Sequence, residues 1–468
     1  MSELRPGTAV PQENKMGVQP VAPLLFNMAL PMMAGMLVQA LYNIVDSIFV
    51  SHMNEAALTA VSLAFPIQTL MIAVSVGTGI GVNAVVSKSL GEKDFDQANR
   101  TASNGIFLAA CSTLLFMAFG LLASGPFFRT QTTDETIVTY GIHYLFVVCV
   151  FSQGLFLQIM MEKLLCSTGK TFDSMMLQLV GAVVNLILDP ILIFGLCGMP
   201  KLGVAGAGIA TVAGQWAAAG IGLWLNITRN KELVVTLPAM KPHLPTIRRI
   251  YAIGVPSIAM QAVGSVTVFF MNTILLGFTS TAAAVFGVYF KLQSFVLMPV
   301  FGLNNGMVPI VSYNFGARRP DRMVQTVKFS LLYGTGITVS GFLLFELAPA
   351  WLLSLFDASA DMLAIGVPAL RILGTCFLLA GINIVCSAVF QALGHGVLSL
   401  WASVSRQLLA MLPLAYLFSL SGNVNMVWMS YPCAELVAIT MTILFMRRVY
   451  KTSVKPLYEI ASAVLSDD

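Results

Sequence analysis

The 468 residues are 10% charged and 57% hydrophobic, with a formal net charge of +4 and a mean hydropathy of +0.83. A soluble domain keeps about 25% of its residues charged to cover its surface, so lipid must be most of this chain's solvent. That excludes a string of soluble domains, and without a GxxxxGK[ST] loop the chain does not hydrolyse nucleotide itself.

Residues 1–20 are polar and interrupted by Pro6, Gly7, Pro11 and Pro20. They lack the basic start and short apolar centre of a secretory signal, so a short disordered cytoplasmic tail ahead of a retained first span is expected. Apolar segments follow at 22–50, 57–83, 103–125, 136–160, 174–198 and 203–226, then at 250–278, 281–308, 329–350, 362–390, 397–420 and 424–446. Each exceeds the roughly twenty residues that cross the hydrocarbon core at about 1.5 Å rise. The sequence therefore predicts an all-α integral membrane protein with twelve transmembrane helices. A polar, basic linker over 227–249 separates an N-lobe, 21–226, from a C-lobe, 250–446, and 447–468 form a cytoplasmic tail.

The basic residues orient the chain. Only Arg129 and Lys201 fall in loops of one side, and only Lys291, Arg371 and Arg406 inside spans; the other twenty of the 25 Lys and Arg lie in the opposite loops and the termini. The positive-inside rule then places both termini in the cytoplasm. The basic clusters are topology determinants beside anionic lipid and call for no nucleic acid. Cys111, Cys149, Cys376 and Cys386 sit in apolar runs and read as small buried hydrophobes. No spacing among cysteines and the four histidines suggests a metal site.

The chain repeats itself at an offset of 225 residues. Ala57, Phe65, Gln68, Gly77, Gly81, Ser87 and Gly91 recur as Ala282, Phe290, Gln293, Gly302, Gly306, Ser312 and Gly316. Six spans is an even number, so both halves enter from the same side and the repeats are parallel, with the substrate site expected between them. Prolines inside spans, among them Pro31 and Pro190, each leave a helical carbonyl without its partner and mark candidate hinges.

Polar groups inside spans are costly, about 2.5–3.5 kcal/mol for an acid on insertion scales. Asp46 ends the run Tyr42-Asn43-Ile44-Val45-Asp46 in span one. Asp189 lies in span five, four residues after Asn185 and therefore on the same helix face, with Pro190 freeing the Leu186 carbonyl one turn back. A carboxylate, an amide and a loose carbonyl suit H+ or a small cation, and burial favours the protonated carboxyl. The alternative is purely structural, with Asp46 capping a helix end and Asp189 bonding a neighbouring span. Gln39, Tyr42, Met161, Gln261, Lys291, Gln293 and Arg406 are weaker candidates for a substrate cavity. Glu435 is placed to pair with one of the span cations, while Glu162 and Glu346 read as interfacial.

At these residues the sequence resembles the multidrug and toxic compound extrusion (MATE) family. The likeness is carried by Pro31 with Tyr42-Asn43-Ile44-Val45-Asp46-Ser47-Ile48-Phe49-Val50, by Asn185-Leu-Ile-Leu-Asp189-Pro190, and by Gly203-Val-Ala-Gly206-Ala-Gly208-Ile-Ala-Thr211. It covers about residues 20–450 and is strongest toward the DinF-like bacterial branch. The resemblance implies two six-helix lobes in a V-shaped fold. It also implies a secondary antiporter that exports bulky, often cationic amphipathic compounds in exchange for H+ or Na+. Coupling would then fall to an N-lobe site of Asp46, Asn185, Asp189 and Thr211, the same residues holding Na+ if that is the ion. The seventh and tenth spans offer Gln261, Asn272 and Asn383 but no acid, which argues against coupling in the C-lobe. The expectation is a monomer in the bacterial inner membrane, with no cofactor and with small organic molecules and the bilayer as partners. A lipid-linked precursor flippase of the wider superfamily is the second reading. An intramembrane enzyme is the third, disfavoured because the histidines lie at span ends or in loops.

Overall fold

A computed structural model describes residues 13–51, 55–235, 241–356 and 358–466 of the chain. The helices in chain order are α1 Val21–Ser51, α2 Glu55–Gly91, α3 Phe95–Leu122, α4 in two pieces, Glu135–Val150 and Gln153–Ser167, α5 Thr171–Phe194 and α6 Val204–Thr228. The second half runs α7 Leu244–Leu276, α8 Ser280–Gly316, α9 Pro320–Leu347, α10 in two pieces, Ala360–Gly374 and Phe377–Ala392, α11 Gly396–Ser419 and α12 Ser430–Val449. Among the described residues ten helices are long and apolar enough to cross a membrane, or twelve when each bent pair counts as one span. Several helices run past the expected apolar limits, because the helical backbone continues beyond the hydrocarbon depth.

The repeat is written into the backbone. Helices α2 and α8 are both 37 residues long and α3 and α9 both 28, each pair displaced by 225 residues. Lys93 and Arg318 adopt left-handed backbone at matching turns, φ 60° and 54°, as do Gly169 and Gly394 at 83° and 84°. Ser87 Oγ donates to the Ser167 carbonyl at 2.9 Å, and Ser312 Oγ repeats the bond to Ala392 at 2.8 Å. Both bent spans break at the same place, by 43° in α4 and 48° in α10. Neither break holds a proline. By contrast α1 continues as helix through Pro31 and α5 through Pro190, since neighbouring groups in a bundle can take up the freed carbonyls.

The halves interlock. Helix α1 lies along α8 and helix α7 along α2, so the first helix of each half packs on the second helix of the other. Glycine permits this closeness. A Cβ on Gly91 would sit 2.0 Å from the Tyr313 carbonyl oxygen, and one on Gly316 would sit 2.1 Å from that of Lys88. The two ends of α2 and α8 thus cross backbone to backbone, related by the repeat.

Residues 13–20, expected to be disordered, instead tie the halves together at that same end. The turn of helix Lys15–Val18 is capped by Asn14, whose side chain accepts from the Met16 N–H and donates to the Thr168 carbonyl and to Glu232. On the other half Glu13 pairs with Arg319 at 2.6 Å, Arg322 donates to the carbonyls of Met16 and Gln19, and Asn314 also bonds Met16. Met16 is fully buried between them. Burial and the neighbouring Lys170 push the Lys15 ammonium below its ordinary value, against the opposing pull of Glu232 and Asp173. Sequence polarity suggested a free tail because it reveals nothing of partners 150 to 300 residues away. Replacing Arg322 by Ala removes charged bonds worth about 1.5–3 kcal/mol each. Amide exchange over residues 16–19 is expected to quicken more than tenfold, read by mass spectrometry.

Residues 447–466 are helical: α12 runs to Val449, a π-helical stretch spans Tyr450–Val454, and a helix follows over Lys455–Ser466.

Candidate functional site

A cavity of about 700 Å³ lies between the two halves, lined from every span except α3 and α9. On the first half the decisive element is α5. Gln178, Ala182, Asn185 and Asp189 fall on one face and are buried, while Val183, Leu186 and Ile187 on the other face are exposed. That spacing is the helical period, and it turns the polar groups inward. Asp189 is 0% exposed, so it does not meet acyl chains.

Helix α6 comes close enough to complete the group because its glycines lack side chains. A Cβ on Gly206 would stand 2.5 Å from the Leu192 carbonyl oxygen, and one on Gly214 2.6 Å from that of Gly181. This contact brings Thr211 beside Asn185. With the Asn185 amide turned to satisfy both its atoms, Nδ2 donates to Asp189 Oδ2 at 3.1 Å and Oδ1 accepts from the Thr211 N–H at 3.2 Å. The Thr211 hydroxyl donates to the Ala207 carbonyl at 3.0 Å. Asn185 and Thr211 line the cavity, with Asp189 one helical turn behind. Asp46 lies on α1, and its side chain is outside the described residues.

The far wall holds a second polar group. Arg406 Nη1 on α11 donates to Glu435 Oε1 on α12 at 2.8 Å, and Asn383 Nδ2 on α10 donates to Glu435 Oε2 at 2.8 Å. The pairing expected of Glu435 is therefore made with Arg406. Arg406 sits in a π-helical stretch, Ser405–Met411, within α11. Gln39, Tyr42, Gln261 and Gln293 also line the cavity.

Two expected lining residues are elsewhere. Met161 is buried against α6, where its carbonyl accepts from Asn226 Nδ2 at 3.1 Å. Lys291 is exposed, with its ammonium 5.9 Å from the Phe356 ring centre. Each belongs to a helix that contributes other residues to the cavity, and each lies on the wrong face. Glu162 and Lys163 correct the sequence reading in the opposite sense. The sequence places Glu162 at an interface and Lys163 in a loop, yet they are 7% and 4% exposed and line the cavity. Lys163 Nζ bonds Glu162 at 3.1 Å and Asn305 Oδ1, across on α8, at 3.0 Å. The repeat held the clue: the C-lobe span to 390 places the matching end of span four at 165, beyond the 160 inferred from hydropathy.

Among the described residues no group of three or more His, Cys, Asp or Glu could hold a metal. Two parallel six-span repeats enclosing a central cavity, largely apolar with a few polar groups, define a multi-pass membrane transporter, not an enzyme. Comparison with known proteins agrees. The MatE family model matches residues 31–191 and again 256–417, once in each half, and the chain belongs to the MATE family. It is 27% identical over 421 residues to an FAD transporter of Shewanella oneidensis, covering 89% of this chain and 92% of the relative. It is also 27% identical over 406 residues to the multidrug export protein MepA of Staphylococcus haemolyticus, covering 86% and 88%. A MATE transporter of the MOP superfamily, solved in an outward-facing conformation, superposes with a TM-score of 0.89 at 24% identity, covering 97% of this chain and all of that one.

Proposed function

We propose that the protein is a secondary antiporter exporting bulky, often cationic amphipathic organic molecules in exchange for H+ or Na+, with Asp46, Asn185, Asp189 and Thr211 as the coupling group. The observation that carries this reading is the fully buried Asp189, bonded to Asn185, one turn behind the wall of a cavity between two repeated halves. A carboxyl so placed is stable either protonated or paired with a cation. A change in that state alters contacts among α1, α5 and α6 and can favour one arrangement of the halves over the other. Each unit charge moving inward across 100 mV supplies about 2.3 kcal/mol. Pro31 and Pro190 serve as hinges in this scheme. In this scheme the crossing ends of α2 and α8 lie on the cytoplasmic side, a reading the basic bias supports, and the protein acts as a monomer in a bacterial inner membrane.

Export of a multidrug type is supported by the likeness to MepA. The FAD transporter among the relatives adds flavin nucleotides to the substrates worth assaying. A lipid-linked precursor flippase fits less well: its cavity would be strongly cationic, whereas the described lining charges, Glu162 with Lys163 and Arg406 with Glu435, balance in sign.

Efflux of a cationic dye from reconstituted vesicles, with pH and Na+ gradients collapsed separately, tests the reading. Collapse of one gradient stops efflux. Efflux that continues with both gradients dissipated sinks the antiport mechanism.

A further inference from the structure

The coupling group explains a cation on the first half of the cavity. It leaves unexplained a guanidinium on the second half, charge-paired yet held at the cavity surface by a device of its own. Arg406 and Glu435 are not presented equally: the arginine side chain is 29% exposed and the glutamate 5%. Both carboxylate oxygens of Glu435 are taken, one by Arg406 and one by Asn383. The guanidinium has five N–H donors and makes just that one protein bond among the described residues. The acid is thus spent as a foot for the arginine, and the arginine keeps free donors facing the cavity.

The local backbone serves the same arrangement. In the π-helical stretch the Leu412 N–H reaches back five residues to the Gln407 carbonyl. Such single wide turns rotate following side chains relative to a regular helix and recur at functional sites. Gln407 donates to Ser403 at 2.8 Å and Gln293, across on α8, donates to Tyr289 at 2.9 Å. Gln407, Gln293 and Arg406 all line the cavity.

We propose that Arg406, seated on Glu435 and Asn383, is a binding site for an oxyanion on the substrate, so that the cavity takes amphipathic molecules carrying a carboxylate or phosphate, zwitterions included. A guanidinium matches the two oxygens of such a group with paired hydrogen bonds, which a lone ammonium cannot do. A zwitterion would span the cavity, its anionic group on the second half and its cationic group toward the carboxyl of the first. The inference rests on the cavity being the substrate cavity of the proposed transporter.

A matched pair of dyes tests it: rhodamine 6G, a cationic ethyl ester, and rhodamine 19, the same xanthene with the ester replaced by a free carboxylate. Their affinities for the purified full chain in lipid nanodiscs are read by fluorescence anisotropy, and the quantity of interest is the acid-to-ester affinity ratio. Arg406→Gln lowers that ratio about tenfold, the scale of one charged hydrogen bond. Arg406→Lys lowers it less, because the charge stays and only the paired geometry goes. Glu435→Gln raises it, because the guanidinium is released from its counter-charge. A ratio that is the same in wild type, Arg406→Lys and Glu435→Gln overturns the assignment even if Arg406→Gln does not fold. If both dyes bind and only the ratio fails to move, the oxyanion site alone is lost. If neither dye binds the wild type, the substrate-cavity reading falls with it.

Discussion

Asp189→Asn is expected to abolish gradient-driven efflux, by at least about 100-fold, while the protein still folds and binds dye. The substitution keeps shape and an acceptor oxygen for Asn185 Nδ2, whose bond to Asp189 Oδ2 is 3.1 Å. It removes from the proposed coupling group a carboxyl that a coupling ion can titrate or pair with, the one buried at the cavity wall. The size follows from population arithmetic: moving two arrangements from 1:99 to 99:1 takes about 5.5 kcal/mol of differential binding, and a neutral amide offers an incoming ion almost none of it. Thr211→Val is the graded comparison. It removes a hydroxyl that already bonds the Ala207 carbonyl and leaves the backbone N–H on Asn185, so a loss of a few-fold, on the order of 1 kcal/mol, is expected. Both are measured as dye flux from proteoliposomes under an imposed ion gradient, beside melting temperature and dye affinity. Coupled flux at the wild-type rate in Asp189→Asn would remove this carboxyl from the mechanism.

The second large effect is conformational. Gly91→Ala, and still more the double variant with Gly316→Ala, is expected to drive apart the crossing of α2 and α8. A Cβ at either site would lie 2.0–2.1 Å from a backbone carbonyl oxygen of the other helix, and backbone cannot swing aside as a side chain does. Relief requires the helices to separate by more than about 1 Å, an overpacking penalty of typically 1–3 kcal/mol per site. Since the contact exists only while this end is closed, the penalty falls on one arrangement. The population should shift by roughly 5-fold to 150-fold toward its alternative. Spin labels on Lys93→Cys and Arg318→Cys, at the two matching turns, report the distance. An unchanged distance distribution in the double variant would show that this end tolerates the added methyl groups and that the crossing does not control the arrangement of the halves.

Much was legible beforehand, for identifiable reasons. Twelve apolar stretches, the 225-residue offset and the pairing of Asn185 with Asp189 on one face are properties of order along the chain. Hydrocarbon depth and helical rise convert them directly into spans and faces. The offset even predicts the extent of span four better than hydropathy does, because Glu162 and Lys163 interrupt the apolar run without interrupting the helix.

What only the tertiary structure decided is which helix faces meet. Met161 and Lys291 turned away from the cavity although their neighbours line it. Asn383 lies in a span without an acid, yet it stands 2.8 Å from Glu435, supplied by another helix. In water a helix announces its inner face by contrast with a charged outer one. In a membrane both the lipid and the protein interior are apolar, so composition along a span says little about its rotation. That rotation is set by backbone contacts such as Gly206 on Leu192 and Gly214 on Gly181, and through them the scattered polar residues become one cavity with two poles.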